Sequence, residues 1–512
     1  MSRFKRFAHS LISGYLLLGA NMLYTLASVP LALHYLSLEQ YGLWALVTQV
    51  CNLNQVLIDL GMSNAVARIL IDHKDDPNST GYGAVIKTGF LVLVVQGVLM
   101  AVVGGVLSFW LPGWMDVPAE HWRDFRLLVT WQCVMLAVSF ATRIFTFILQ
   151  AHQRYDIGNF SNLGGLILGF IGLWAGYAAG LKLYALLVGG AATVLFSSGF
   201  CLWQTHRLRL FPKRGRWGRP NWTTFKELFT FGMDMFLASI GLQLINASQA
   251  PVITRTLGLE ATGIWSAATK LFLLAQQIVY RLLDYSTAAF SEMIVRGERD
   301  RLRERFRELV ILSGSAGAAV GATMALCNQA FLEIWTRNRI AWGIENDILM
   351  ACSLFVFTST RCHLGLPCMT KQVRGLKFVY LGEGLAYVGF GLLVAPRLGL
   401  SGVILGGIIT NLLFSGIYGA YRTTDYFKLP TSEVALGWQR SPTLVFLIAM
   451  VAAAGIWFAT AQLSAVVELL VRGSIMGGIA LVCVWTLGLS AARRREGRSR
   501  LLALRTRLSS AP

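Results

Sequence analysis

The chain has 512 residues, 55% of them hydrophobic and 14% charged, with a mean hydropathy of +0.57. A soluble domain carries about 25% charged residues, so the composition excludes an ordinary soluble enzyme and points to a polytopic membrane protein. The formal net charge is +19; in such a chain it reads as basic loops facing anionic lipid, not as a nucleic-acid surface.

A membrane span needs about 20 mainly apolar residues, and on that rule about 14 spans are expected. Arg3, Lys5 and Arg6 precede the first, near 11–33. It exceeds a signal-peptide core of about 7–15 residues and reads as a retained span. The next lie near 42–62, 84–108, 127–150, 160–180 and 183–203. The second half gives 227–250, 263–284, 309–331, 347–368, 377–396 and 400–421, and a last pair falls near 443–461 and 473–491. The spans near 42–62 and 263–284 are the most polar. Eight cysteines all fall in apolar runs and read as small buried residues, not as disulfides or metal ligands.

Residues 30–55 recur without a gap at 251–276, an offset of 221 (251 − 30). Pro30, Leu36, Leu38, Glu39, Gly42, Trp44, Thr48, Leu53 and Gln55 meet Pro251, Leu257, Leu259, Glu260, Gly263, Trp265, Thr269, Leu274 and Gln276. A repeat this far apart marks two copies of a large structural unit. Each copy holds six spans, and an even number returns the chain to its starting side. The expected fold is therefore all-α: two six-helix bundles related by a pseudo-two-fold axis along the membrane normal, plus a C-terminal helix pair. The expected divisions are an N-terminal bundle (1–207), a basic linker (208–225), a C-terminal bundle (226–424), the helix pair as an appendage (425–491) and a basic tail (492–512).

Loop charge sets the orientation. Arg207, Arg209, Lys213, Arg214, Arg216 and Arg219 crowd the linker, and six arginines lie between 296 and 307. Arg493, Arg494, Arg495, Arg498, Arg500, Arg505 and Arg507 crowd the tail. All fall on one side, so linker and both termini are expected in the cytoplasm. The 296–307 stretch reads as a short charged surface helix. The tail, which alternates arginine with Leu501, Leu502, Leu504 and Leu508, reads either as lying on the anionic leaflet or as solvated. Trp110, Trp114, Trp122, Trp335 and Trp342 form the expected outer aromatic belt.

Ionisable residues inside spans mark functional sites by default. Thr142-Arg143 in the fourth span and Thr360-Arg361 in the tenth match at an offset of 218 (361 − 143), close to that of the repeat. Two arginines at matched depth, one per half, predict a cationic cavity between the halves. An arginine fork holds a diphosphate bidentately and stays charged. The structural reading is that each arginine pairs with a buried carboxylate, Asp234 or Glu383. Those two acids are otherwise candidates for proton or cation coupling. Lys270 and His363 join the cavity as candidates, against a snorkelling lysine and a satisfied interior histidine. Asp59 and Asp284, near the inner ends of their spans, are gate candidates. No P-loop, glycine-rich nucleotide motif or His/Cys metal cluster is found in the sequence, so no cofactor, metal or nucleotide drive is expected.

The loop L-x-L-E-x-x-G-x-W at 36–44 and 257–265, I-D-L-G-M-S-N-A at 58–65 and L-Q-A-H-Q-R-Y-D at 149–156 carry a resemblance. With the span count, the chain resembles the bacterial oligosaccharide flippases within the multidrug/oligosaccharidyl-lipid/polysaccharide exporter superfamily. The resemblance implies a non-enzymatic inner-membrane transporter. It would flip an undecaprenyl-pyrophosphate-linked oligosaccharide by alternating access for O-antigen or other surface polysaccharide. It implies membrane lipids, a polymerase and other polysaccharide-assembly proteins as partners, with no nucleic acid, and a cationic cavity that here would hold Arg143, Arg361 and Lys270. The competing expectations are an ion-coupled multidrug or metabolite antiporter of the same superfamily, and a membrane polymerase, ligase or glycosyltransferase.

Overall fold

The computed structural model describes residues 3–74, 80–370, 372, 375–490, 493–495 and 499. The described residues form sixteen α-helices and no strand. Ten of these runs are long and apolar enough to cross a membrane. The protein is thus an all-α polytopic membrane protein. Packing divides the chain into two compact units, Met1–Gly263 and Ile264–Pro512.

The first unit contains α1 (Arg3–Tyr35), α2 (Leu38–Asp59), α3 (Met62–His73), α4 (Gly81–Trp114), α5 (Trp122–Ala151), α6 (Tyr155–Ala178), α7 (Ala185–Arg207), α8 (Trp222–Ala247) and the start of α9 (Gln249–Ala268). Ser37 separates α1 from α2 through a capping box. Its Oγ accepts from the Gln40 N–H at 3.1 Å, and Gln40 Oε1 accepts from the Ser37 N–H at 3.2 Å. The residue matching Ser37 in the repeat is Gly258, which interrupts α9 with φ 89°. The break therefore recurs at one position of the repeat, made by a cap in one copy and by a glycine in the other. Pro30 stays inside α1, whereas Pro251 sits in the first turn of α9, where no N–H is needed.

The two motif copies touch each other. A Cβ on Gly42 would lie 1.9 Å from the Leu259 carbonyl oxygen, and one on Gly263 would lie 2.3 Å from that of Leu38. In repeat numbering these are the same contact made in both directions.

The basic 208–221 segment is strapped onto the start of α4. Tyr82 donates to Leu210 O at 3.2 Å and Lys87 Nζ to Gly218 O at 3.0 Å. The helix after it, α8, packs on α2 and α3, inside the first unit. The boundary by packing therefore lies beyond the boundary read from the linker, and the division into repeats stands apart from the division into units.

The second unit contains the end of α9, α10 (Lys270–Val295), α11 (Arg299–Thr336), α12 (Ile344–Met369), α13 (Leu376–Asn411), α14 (Ile417–Phe427), α15 (Arg440–Thr460) and α16 (Ala465–Cys483). The charged stretch expected as a short surface helix forms instead the first turns of the 38-residue α11. Arg301 pairs there with Glu298 at 3.0 Å and Arg305 with Glu308 at 2.9 Å. Gly399, at φ 62°, breaks the run from Leu376 to Phe427 where two spans were expected.

Small buried residues on α11, among them Ser313, Gly314, Gly317, Ala318, Gly321 and Ala322, let α12, α15 and α16 approach closely. The last helix pair packs on α11 within this unit. Arg472 of α16 is wholly buried. It is ion-paired to Glu468, donates through Nε to Thr460 Oγ1 at 2.8 Å and through Nη1 to Leu326 O at 3.4 Å.

Trp110 and Trp114 project outward, 77% and 70% exposed, as lipid-facing belt residues would. Trp342 does not: it is buried, and its indole N–H is bonded to a carboxylate. The cysteines are unbridged; seven are buried or half-buried, and Cys368 is exposed. The 492–512 tail falls almost wholly outside the described residues.

Candidate functional site

Arg143 projects from α5 against the junction of α2 and α3. Its Nη1 lies 3.7 Å from Asp59 Oδ1 and donates to Ser63 Oγ at 3.3 Å. Ser63 in turn donates to Asp59 Oδ1. The guanidinium stands 4.3 Å from the Phe140 ring centroid, within cation–π range. The junction turns through Leu60 at φ 47° and Gly61 at φ 71°. Only glycine fits the second position, because a Cβ there would lie 2.1 Å from Gly232 O of α8. Gln96 of α4 satisfies the helix end, donating to Ile58 O at 2.9 Å and Asp59 O at 2.8 Å.

Arg361 projects from α12 toward α10. Its Nη2 donates to Asp284 Oδ1 at 3.0 Å, and its guanidinium stands 4.3 Å from the Tyr280 ring centroid. Arg281 Nη1 also lies 3.8 Å from Asp284 Oδ2. The Nε of Arg361 is buried without a hydrogen-bond partner among the described residues.

The repeat offset of 221 carries Asp59 onto Tyr280 and Ser63 onto Asp284. The two positions that contact Arg143 are therefore the two that contact Arg361, with the carboxylate four residues later in the second copy. The halves differ in access. Side chains of the Arg361–Asp284 pair are 42% and 37% exposed, against 24% and 16% for Arg143–Asp59.

Among the described residues the carboxylates that pair with the arginines are the gate candidates Asp59 and Asp284, not Glu383. Glu383, on α13, accepts instead from Asn411 Nδ2 at 2.9 Å and from Ser415, beside a π-helical segment at Leu412–Gly416. Asn411 Oδ1 also accepts from Thr360 at 2.8 Å, so this network ends on the residue preceding Arg361. Asp234 lies on α8, with its side chain outside the described residues.

Lys270, half-buried at the start of α10, has no ion-pair or hydrogen-bond partner among the described residues. His363 belongs to the core instead of a charged cavity. It is buried, its Nδ1 lies 3.0 Å from Thr423 Oγ1, and its ring stacks at 6.1 Å on Trp438 beside Phe306. Two buried polar groups escaped the sequence reading. Arg472 stands just before the expected span at 473–491, and Asp347 is the first residue of the one at 347–368. Their i,i+4 acid and neighbouring tryptophan, respectively, were the available signals.

Three comparisons bear on identity. Among solved structures, an inward-facing multidrug resistance MATE family transporter of the MOP superfamily matches with TM-score 0.65 and 15% identity, over 79% of this chain and 95% of that one. The lipid II flippase MurJ, in an inward closed conformation, matches with TM-score 0.65 and 12% identity, over 93% and 97%. A MOP superfamily transporter from Pyrococcus furiosus matches with TM-score 0.56 and 16% identity, over 82% and 96%. At these identities the likeness is one of fold. No curated protein matches the chain. The family described as "Polysaccharide biosynthesis protein" matches residues 34–336, more than half of the chain, which therefore belongs to that family.

Proposed function

We propose that the chain is a flippase. It carries a lipid-linked oligosaccharide with an undecaprenyl-pyrophosphate head across the bacterial inner membrane by alternating access, with both termini in the cytoplasm. The family membership and the transporter fold support the class. The carrying observation is the pair of repeat-matched arginines, each braced by the same two repeat positions. An arginine deep in a span costs about 2.5–3.5 kcal/mol on insertion scales, so two matched ones need a use.

A diphosphate crossing the membrane loses water and needs replacement donors of fixed geometry. Arg143 and Arg361 supply them. With no substrate bound, Asp59 and Asp284 neutralise each guanidinium while an aromatic face orients it. An arriving phosphate exchanges with the carboxylate at the arginine fork. Lys270, in the same unit as Arg361, adds a charge with no ion-pair partner among the described residues. Glu383, linked through Asn411 to Thr360, and Asp234 are the ion-coupling candidates. The test is genetic. Arg143→Ala and Arg361→Ala should each abolish surface polysaccharide while the protein reaches the membrane at normal level. Arg→Lys should restore it in part. Wild-type polysaccharide in the double alanine variant would reject the reading.

A further inference from the structure

Asp347 is wholly buried near the start of α12, at 0% exposure. Its Oδ1 accepts two hydrogen bonds, from Asn328 Nδ2 of α11 at 2.7 Å and from Trp342 Nε1 at 2.8 Å. Its Oδ2 is buried and has no hydrogen-bond partner among the described residues, and neither has Oδ1 of Asn328, which is also wholly buried. Two side chains already joined by one hydrogen bond therefore each hold an orphan oxygen.

Among the described residues Asp347 forms no ion pair, and Lys270, two residues past the Ala268 carbonyl that Asn328 also reaches at 3.5 Å, makes none with it. The other charge acting on Asp347 is the Glu345 carboxylate of its own helix. From α11 the facing group is the neutral amide of Asn328, and from the preceding loop the neutral indole of Trp342. On the side of α13, Ser401 is bonded to the adjacent Asn346 at 2.8 Å. An isolated buried carboxylate and two unpaired buried acceptors are each costly, and the two costs share one remedy.

We propose that Asp347 and Asn328 form a proton-binding site. With a proton on Asp347 Oδ2 donated to Asn328 Oδ1, acid and amide close a ring of two hydrogen bonds, and no buried oxygen is left unpaired. A hard metal cation fits less well: it takes about six oxygen ligands, and the described side chains leave two oxygens unpaired here. Loss of the proton leaves two buried acceptors with no donor among the described residues, so release requires the α11–α12 seam to open. Because α12 also carries Arg361, proton occupancy and the position of that arginine are mechanically linked. The protonation claim does not rest on the substrate reading.

The test is infrared difference spectroscopy on the purified full-length protein, which needs no substrate. At neutral pH the wild type should show a carboxylic-acid C=O band that Asp347→Asn removes and Asn328→Ala shifts. If Asp347→Asn does not fold, the Asn328→Ala shift decides alone. Absence of a neutral-pH acid band assigned in this way overturns the proposal. So does loss of the band when sodium chloride replaces choline chloride, because a metal cation would then be the occupant.

Discussion

A guanidinium that faces one carboxylate has half of its donor fork left for a ligand. Arg143 and Arg361 are both in this condition, each with an aromatic ring behind it. Removing the carboxylate without removing the arginine should favour an anion. Asp59→Asn and Asp284→Asn are therefore expected to bind an undecaprenyl diphosphate about tenfold more tightly, about 1.4 kcal/mol. The check is ligand titration of the purified variants, and weaker binding in both would contradict the exchange. Arg472 behaves otherwise, because its donors are spent on Glu468, Thr460 and a backbone carbonyl. Arg472→Met alone should cost about 3–5 kcal/mol by stranding Glu468, while Arg472→Met with Glu468→Leu should recover most of it. Thermal melting in detergent reads both. The arginines were legible in the sequence because a Thr-Arg dipeptide recurs near the repeat offset. Their partners were not, because Asp59 and Ser63 converge only once the chain has turned left-handed through Leu60 and Gly61. Trp342 departs from the expected belt for a similar reason: nothing local says that an indole at a span boundary faces a buried acid.

Helices here are positioned by close approach of backbones at small residues, as expected where lipid gives no hydrophobic drive between helices. The contact of Gly42 with Leu259 and of Gly263 with Leu38 is the tightest use of this device in the repeated motif. Gly42→Ala should destabilise the protein by about 1–3 kcal/mol, because a main-chain oxygen cannot move aside cheaply. Gly455→Ala on α15, which has nothing within 4 Å, serves as the control and should be neutral or slightly stabilising. Equal melting temperatures for the two variants would show that the motif contact is loose. Most helices were legible as apolar runs. The polar α2 and α10 fall outside the ten most apolar runs, yet their 22 and 26 residues are long enough to span at about 1.5 Å per residue. The arginine-rich stretch differs from the expected short helix because charge pairs at helical spacing describe a helix but not where it ends; α11 continues into the apolar run behind it.

The whole molecule follows from composition first and from the repeat second. An apolar chain with few charges has to satisfy its backbone internally, so it becomes helical throughout. Orientation rests on loop charge. A reporter inserted at Arg214, in the strap against α4, should read cytoplasmic; a periplasmic reading would invert the topology and remove the proposed direction of transport. The substrate was not legible in the same way, because a diphosphate can be met by any well-placed arginine, and the sugar leaves no signature in the residues identified. The central claim is transport of an anionic lipid-linked sugar through Arg143 and Arg361. Its most direct test is a reconstituted flipping assay. Purified protein goes into liposomes with a fluorescent undecaprenyl-diphosphate oligosaccharide, and a membrane-impermeant reagent reports the leaflet. Wild-type protein should move the lipid between leaflets, and the Arg143→Ala/Arg361→Ala double variant should leave it at the rate of protein-free liposomes. Equal flipping by both, or none by folded wild type that instead exports a cationic drug, would contradict the account.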